Sequence, residues 1–187
     1  FPNNQRQHEN AIAMRILSHG YLEYKLPPKT KLKKSEENQE NLLPDMPPGT
    51  FIQQPYGTQG NPDFFIKGPE ARLIPIEAKS FKYGKPMWNS HVPEPNYYYL
   101  LCSKKYNSST IGLGSDLITD AQRRKIRAIE TLVKETVEEH NPELLLLDEN
   151  NRGFVYCPRI AIEQRGVKKT TDYFTHEDRQ RVEARCL

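Results

Sequence analysis

The stretch Gln59-Gly60-Asn61-Pro62-Asp63-Phe64-Phe65-Ile66 and its answering run Leu73-Ile74-Pro75-Ile76-Glu77-Ala78-Lys79-Ser80 decide the fold. Gly68, Pro69, Glu70 and Ala71 stand between them, a composition that marks a short loop joining two antiparallel strands. A loop centred near Glu70 sets opposite each other residues whose numbers sum to about 140, which brings Asp63 across from Glu77. Side chains alternate along a strand, so Glu77 and Lys79 share one face while Ile76 and Ala78 turn the other way, toward a core. Two carboxylates and an ammonium are therefore expected to converge at one end of a small sheet.

Such a convergence is costly. Carboxylates at cross-strand distance repel, and one is expected to keep its proton unless a cation joins them. Mg²⁺ removes the conflict, because it takes oxygen ligands, is held by one or two carboxylates and keeps several waters. It can polarise a phosphoryl oxygen and activate water. Lys79 adds a compact positive charge that could sit against a phosphate or help deprotonate an attacking water.

Pro62-Asp63 followed by Glu77-Ala78-Lys79 resembles the motif of the PD-(D/E)xK nuclease superfamily. Gln54-Pro55-Tyr56-Gly57-Thr58-Gln59 before it, Ser80 after it and Lys85-Pro86-Met87-Trp88-Asn89 beyond look like type II restriction endonucleases of that superfamily. The resemblance covers about residues 51–118. It implies Mg²⁺-dependent hydrolysis of double-stranded DNA at a short specific sequence, usually by a homodimer. Asp63, Glu77 and Lys79 become the catalytic residues, with Asp63, Glu77 and the Ala78 carbonyl on the metal. It also implies an α/β, restriction-endonuclease-like fold: a mixed central β-sheet flanked by α-helices, with the catalytic hairpin at one edge. Because many nucleases of the superfamily lend an acid from the first helix, Glu9 and Glu23 draw notice, though each reads better as an ordinary surface glutamate.

The 187 residues suit a single domain spanning 1–187. A hydrophobic content of 36% and a mean hydropathy of −0.80 leave no run long enough to cross a membrane, and no signal-peptide pattern opens the chain. The first residue is Phe1 rather than Met, which fits residues preceding it. Net charge is only +3, which argues against a general polyanion binder. Basic residues are nevertheless clustered, as at Arg123, Arg124, Lys125 and Arg127, which suits a duplex-binding or partner-binding face, although any one cluster reads better as a solvated helix or loop face. Cys102, Cys157 and Cys186 are far apart and odd in number, so reduced thiols in a cytoplasmic compartment are expected, and no zinc-ligand spacing occurs.

Outward from the hairpin, residues 4–19 carry a helical period ended by Gly20, and residues 26–50 read as a mobile basic loop unable to bury much apolar surface. Gln59 is a candidate for a scissile phosphate or a base edge, and reads equally well as an amide that stabilises the turn. Ser80, Lys82, Lys85 and Asn89 fall on an irregular segment expected to face DNA, with Lys82 and Lys85 on phosphates and Asn89 positioning or reading a base. Trp88 reads as a packing anchor and His91 as a solvent-exposed histidine. Tyr97–Cys102 and Ser109–Gly114 are further strands. Thr119-Asp120-Ala121-Gln122 has the capping-box form, Ile126, Ile129, Val133 and Val137 continue a helical stripe, and Asn141-Pro142 is expected to close that helix. Phe154–Ile162 is β-like. Arg159, Gln164, Arg165, Lys168 and Lys169 nearby are recognition candidates as a group, and a charged helix is expected over 175–185.

Two other functions remain open on the sequence: a structure-directed DNA repair or recombination nuclease, and a DNA-binding module without turnover.

Overall fold

The computed structural model describes residues 5–26, 32, 43–58, 60–82, 85–89, 91–159, 161–165 and 172–186. Helix α1 (Gln5–Ser18) leads into strands β1 (Leu22–Glu23), β2 (Thr50–Gln53), β3 (Phe64–Lys67), β4 (Leu73–Phe81), β5 (Met87–Trp88), β6 (Tyr98–Ser103) and β7 (Ser108–Leu113). Helices α2 (Gly114–Leu117) and α3 (Asp120–Leu146), strand β8 (Ile162–Glu163) and helix α4 (Arg179–Ala184) complete the chain. The result is a mixed α/β architecture around a six-stranded sheet of order β1-β2-β3-β4-β6-β7, with β5 and β8 paired separately.

The expected hairpin register holds: Phe64 faces Ile76 and Phe65 faces Pro75, pairs whose numbers sum to 140. Its expected place at the sheet edge does not. β2 pairs antiparallel with β3, and β6 returns parallel beside β4, so both hairpin strands are central. Proline in a central strand removes a ladder donor. Pro75 is tolerated because pairing with β6 begins only at Ile76.

Cross-strand partners share a face, so Ile52, Phe65, Leu73, Glu77, Tyr99 and Leu101 all lie on one side of the sheet. That side carries two apolar clusters, one around Leu43, Met46, Ile52, Phe65 and Leu73, the other around Trp88, Tyr97, Tyr99 and Leu101. The expectation of a core on the Ile76 and Ala78 side is therefore incomplete. Ala78 is buried and Ile76 only half-buried, while loop residues fold over the Glu77 face. Two of those loop residues correct another expectation. Leu43 and Met46 are buried although they fall within the segment 26–50, most of which lies outside the described residues.

Trp88 is the packing anchor foreseen, its ring edge-on to Tyr99 at 5.2 Å. β7 is held closely by α4: a Cβ on Gly112 would come within 3.0 Å of Val182. The charged C-terminal helix begins at Arg179, later than the sequence indicates, and among the described residues the only strand within Phe154–Ile162 and its neighbours is the two-residue β8.

Thr119 caps α3 through the full capping box with Gln122. The helix does not close at Asn141-Pro142. It continues to Leu146 with Pro142 inside, so the apolar residues Leu144 to Leu146 form its last turn. Its one buried residue, Arg123, lies near the beginning. Arg123, expected on a DNA or partner face, is buried: Nε donates to the Pro93 carbonyl at 2.8 Å, Nη2 lies 3.3 Å from the Gly114 and Ile118 carbonyls, and Nη1 pairs with Asp120. Arg127 adds an ion pair to Glu94 at 2.6 Å. Losing the Arg123 guanidinium leaves buried carbonyls without donors, each costing about 1–3 kcal/mol. Arg123→Met should therefore lower unfolding free energy by roughly 2–4 kcal/mol in urea titration, whereas the exposed Arg124→Met should change it by less than about 0.5 kcal/mol.

Candidate functional site

Asp63 lies one residue beyond the β3–β4 ladder, on the same pairing line that ends at Phe64 and Ile76. There the Ala78 N–H donates to Asp63 Oδ2 at 2.8 Å, so the side chain prolongs the pairing that the backbone leaves off. On the other flank the Gln54 N–H donates to the Asp63 carbonyl at 2.6 Å. Glu77 in turn pairs with Tyr99 of β6. Gln54, Asp63, Glu77 and Tyr99 thus form a row across the middle of the sheet, between the two apolar clusters.

Lys79, two residues along the same face of β4, donates to Glu77 Oε1 at 2.6 Å, and its Nζ stands 6.0 Å from the centre of the Trp88 ring. The second oxygen, Glu77 Oε2, is buried without a hydrogen-bond partner. His91 Nε2 lies 3.9 Å from Glu77 Oε1 with its side chain 11% exposed. It is not the solvent-exposed histidine the sequence indicates: in the segment that follows it Val92 and Tyr97 are buried, and the Glu94 N–H donates to the Tyr99 hydroxyl at 2.8 Å.

A third carboxylate joins the group. Glu9 is buried on α1, and its Oε2 accepts from Gln54 Nε2 at 2.7 Å, which ties the helix to the row. The reading of Glu9 as a surface glutamate is overturned. Glu23, on the outermost strand, is exposed. The sequence did hold a signal for Glu9: it shares a helical face with Ile12, Ala13 and Ile16, all half-buried, while Asn10, Ala11, Met14 and Arg15 are exposed.

Burial and the Glu77 carboxylate beside it push the Asp63 pKa up to about 7, with Glu9 adding in the same direction and the Ala78 amide and Lys79 opposing. Burial also raises the Glu77 pKa, against the pull of the Lys79 ammonium. Three carboxylates against one lysine leave the cluster short of positive charge. Among the described residues no three His, Cys, Asp or Glu side chains are grouped as ligands of one ion. Two carboxylates with one oxygen unpartnered suit Mg²⁺, which takes oxygen ligands and keeps several of its waters.

The other sequence candidates are more scattered. Gln59 lies outside the described residues, as do Lys168 and Lys169. Ser80, Lys82 and Asn89 are exposed and Lys85 half-buried, on the end of β4 and the segment leaving it. Gln164 accepts from the Trp88 indole N–H at 3.3 Å and so is tied to packing. Arg159 and Arg165 are exposed. Compared with protein families, curated proteins and solved structures, the chain matches none of them.

Asp63 provides a test that needs no substrate. Its folded pKa is raised, so between about pH 4 and pH 7 the native state binds more protons than the unfolded chain, and stability falls as pH rises through that window. Asp63→Asn keeps an acceptor for the Ala78 amide and removes the charge. Without divalent cation it should match the parent near pH 4 and exceed it by roughly 2–4 kcal/mol near pH 8 in denaturant titrations.

Proposed function

We propose that this chain is a Mg²⁺-dependent endonuclease that hydrolyses phosphodiester bonds of double-stranded DNA at a short specific sequence, a type II restriction endonuclease of the PD-(D/E)xK superfamily. On this reading the sheet is restriction-endonuclease-like and the protein acts in the cytoplasm. One observation carries the proposal. Asp63 and Glu77 meet on neighbouring central strands through the Ala78 amide, with Lys79 bonded to Glu77 on the same face.

In this mechanism Asp63 and Glu77 hold Mg²⁺ together with the Ala78 carbonyl, and the bound ion supplies charge neutralisation and Lewis-acid polarisation of a phosphoryl oxygen. The chain's own residues do the rest. Lys79, already oriented by Glu77, faces the attacked phosphate and steadies the charge that grows on it. Trp88 beneath its ammonium and Leu101 beside it on β6 limit where that ammonium can go. Glu9, bonded to Gln54, adds negative charge that strengthens cation binding without holding the ion itself. Water attacks phosphorus in line with the leaving 3′ oxygen, leaving a 5′-phosphate. Ser80, Lys82, Lys85 and Asn89 lie downstream on the same strand and its exit, suited to backbone positioning and base contact. Glu77 is 3% exposed, so a phosphodiester reaches it only after the cover over the site shifts.

Purified protein incubated with plasmid and Mg²⁺ should give discrete bands, whereas a structure-directed repair nuclease would not and a binding module would give no cutting. Asp63→Asn and Lys79→Met should each reduce cleavage at least about a hundredfold. Mg²⁺ should raise the melting temperature of the parent protein and leave that of Asp63→Asn unmoved, a readout independent of turnover. Retained cleavage by Asp63→Asn would reject the assignment.

A further inference from the structure

Among the described residues, helix α3 is fastened to the body at its first turns and meets Tyr156 through the Asn141 side chain near its end, and most of the stretch between stands exposed. Of the fourteen large hydrophobic side chains that stand exposed among the described residues, ten fall between Ile129 and Tyr156. Ile129 is 51%, Leu132 63% and Val133 43% exposed in mid-helix, on the stripe that Ile126 and Val137 continue. A monomer rarely leaves an apolar stripe of this length uncovered.

The charges beside the stripe are sorted along the helix. Arg123, Arg124, Lys125 and Arg127 outnumber Asp120 and Glu130 in its first half, and Glu135, Glu138, Glu139 and Glu143 outnumber Lys134 in its second. Two copies running parallel would place like charges together. Two copies running antiparallel would place each basic half beside an acidic half. A surface complementary to itself under a two-fold rotation is what an isologous dimer requires.

We propose that α3 is the contact surface for a second copy of this chain, the two helices packing antiparallel about a two-fold axis between Ile129 and Val133. Ile129 of each copy then nests beside Val133 of the other, and Lys125 lies across from Glu139 of the second copy. The apolar stripe supplies the attraction and the sorted charges fix the direction, as flanking charges do in paired helices. The inference stands on the surface of α3 alone and does not need the nuclease reading.

Sedimentation equilibrium of the full chain, without DNA or Mg²⁺, over about 1–100 μM tests it. The parent protein should be dimeric in that range. Val133→Asp, at an exposed site whose effect on folding can be checked by circular dichroism, should raise the dimer dissociation constant at least about a hundredfold. Lys125→Glu and Glu139→Lys should each raise it about tenfold, since each change strikes two symmetric pairs, and the double variant should return to within about threefold of the parent. A protein monomeric at every concentration, or a dimer indifferent to Val133→Asp, overturns the proposal. A double variant that is not restored overturns the antiparallel pairing. Cleavage assays decide the nuclease reading separately, whichever way the dimer result falls.

Discussion

The bond from the Ala78 amide to the Asp63 carboxylate is the constraint on which the site depends. It continues the β3–β4 pairing one position past the end of the ladder, using a side chain in place of a backbone carbonyl. Because a one-residue slip would turn Glu77 and Lys79 to the opposite face, the register of the hairpin fixes the chemistry as well as the packing. The neighbours enforce that register from both sides. Phe65 and Leu73 pack with Leu43 and Met46, and Tyr99 and Leu101 pack with Trp88.

The price of this arrangement is electrostatic. Glu77 is matched by Lys79 at 2.6 Å, and the pairing offsets part of what burial does to its carboxyl. Asp63 bonds an amide, which is neutral, and so bears the repulsion of Glu77 and Glu9 more fully. Placing an acidic cluster on central strands rather than at a wet edge means that water cannot screen it. The sheet keeps its acids where they are least comfortable and where a cation would gain most.

Much of this was legible in the residues. Glycine and proline between two β-rich runs located the hairpin, and counting from its loop placed Asp63 opposite Glu77 one position beyond the last backbone pair. The alternation of strand side chains put Lys79 with Glu77. The central position of the hairpin was not legible, because it depends on β2 and β6 closing on either flank, and no local pattern states which strands become neighbours. His91 was misjudged for a similar reason: it is drawn in beside Glu77 from an irregular segment with no period to read. Glu9 could have been found from the helical face it shares with Ile12 and Ile16. Pro142 misled because a proline near a helix end removes only one bond, which α3 tolerates for one more turn.

Trp88 carries one more consequence. It is the chain's single tryptophan, packed edge-on to the phenol of Tyr99 with the Lys79 ammonium over its ring. Its fluorescence therefore belongs to one place in the molecule, and a nearby positive charge shifts indole emission. Any event that draws Lys79 away from Glu77, or lifts the segment that carries the indole, is written into the protein's own optical signal, so the state of the acidic row can be followed in the unlabelled chain.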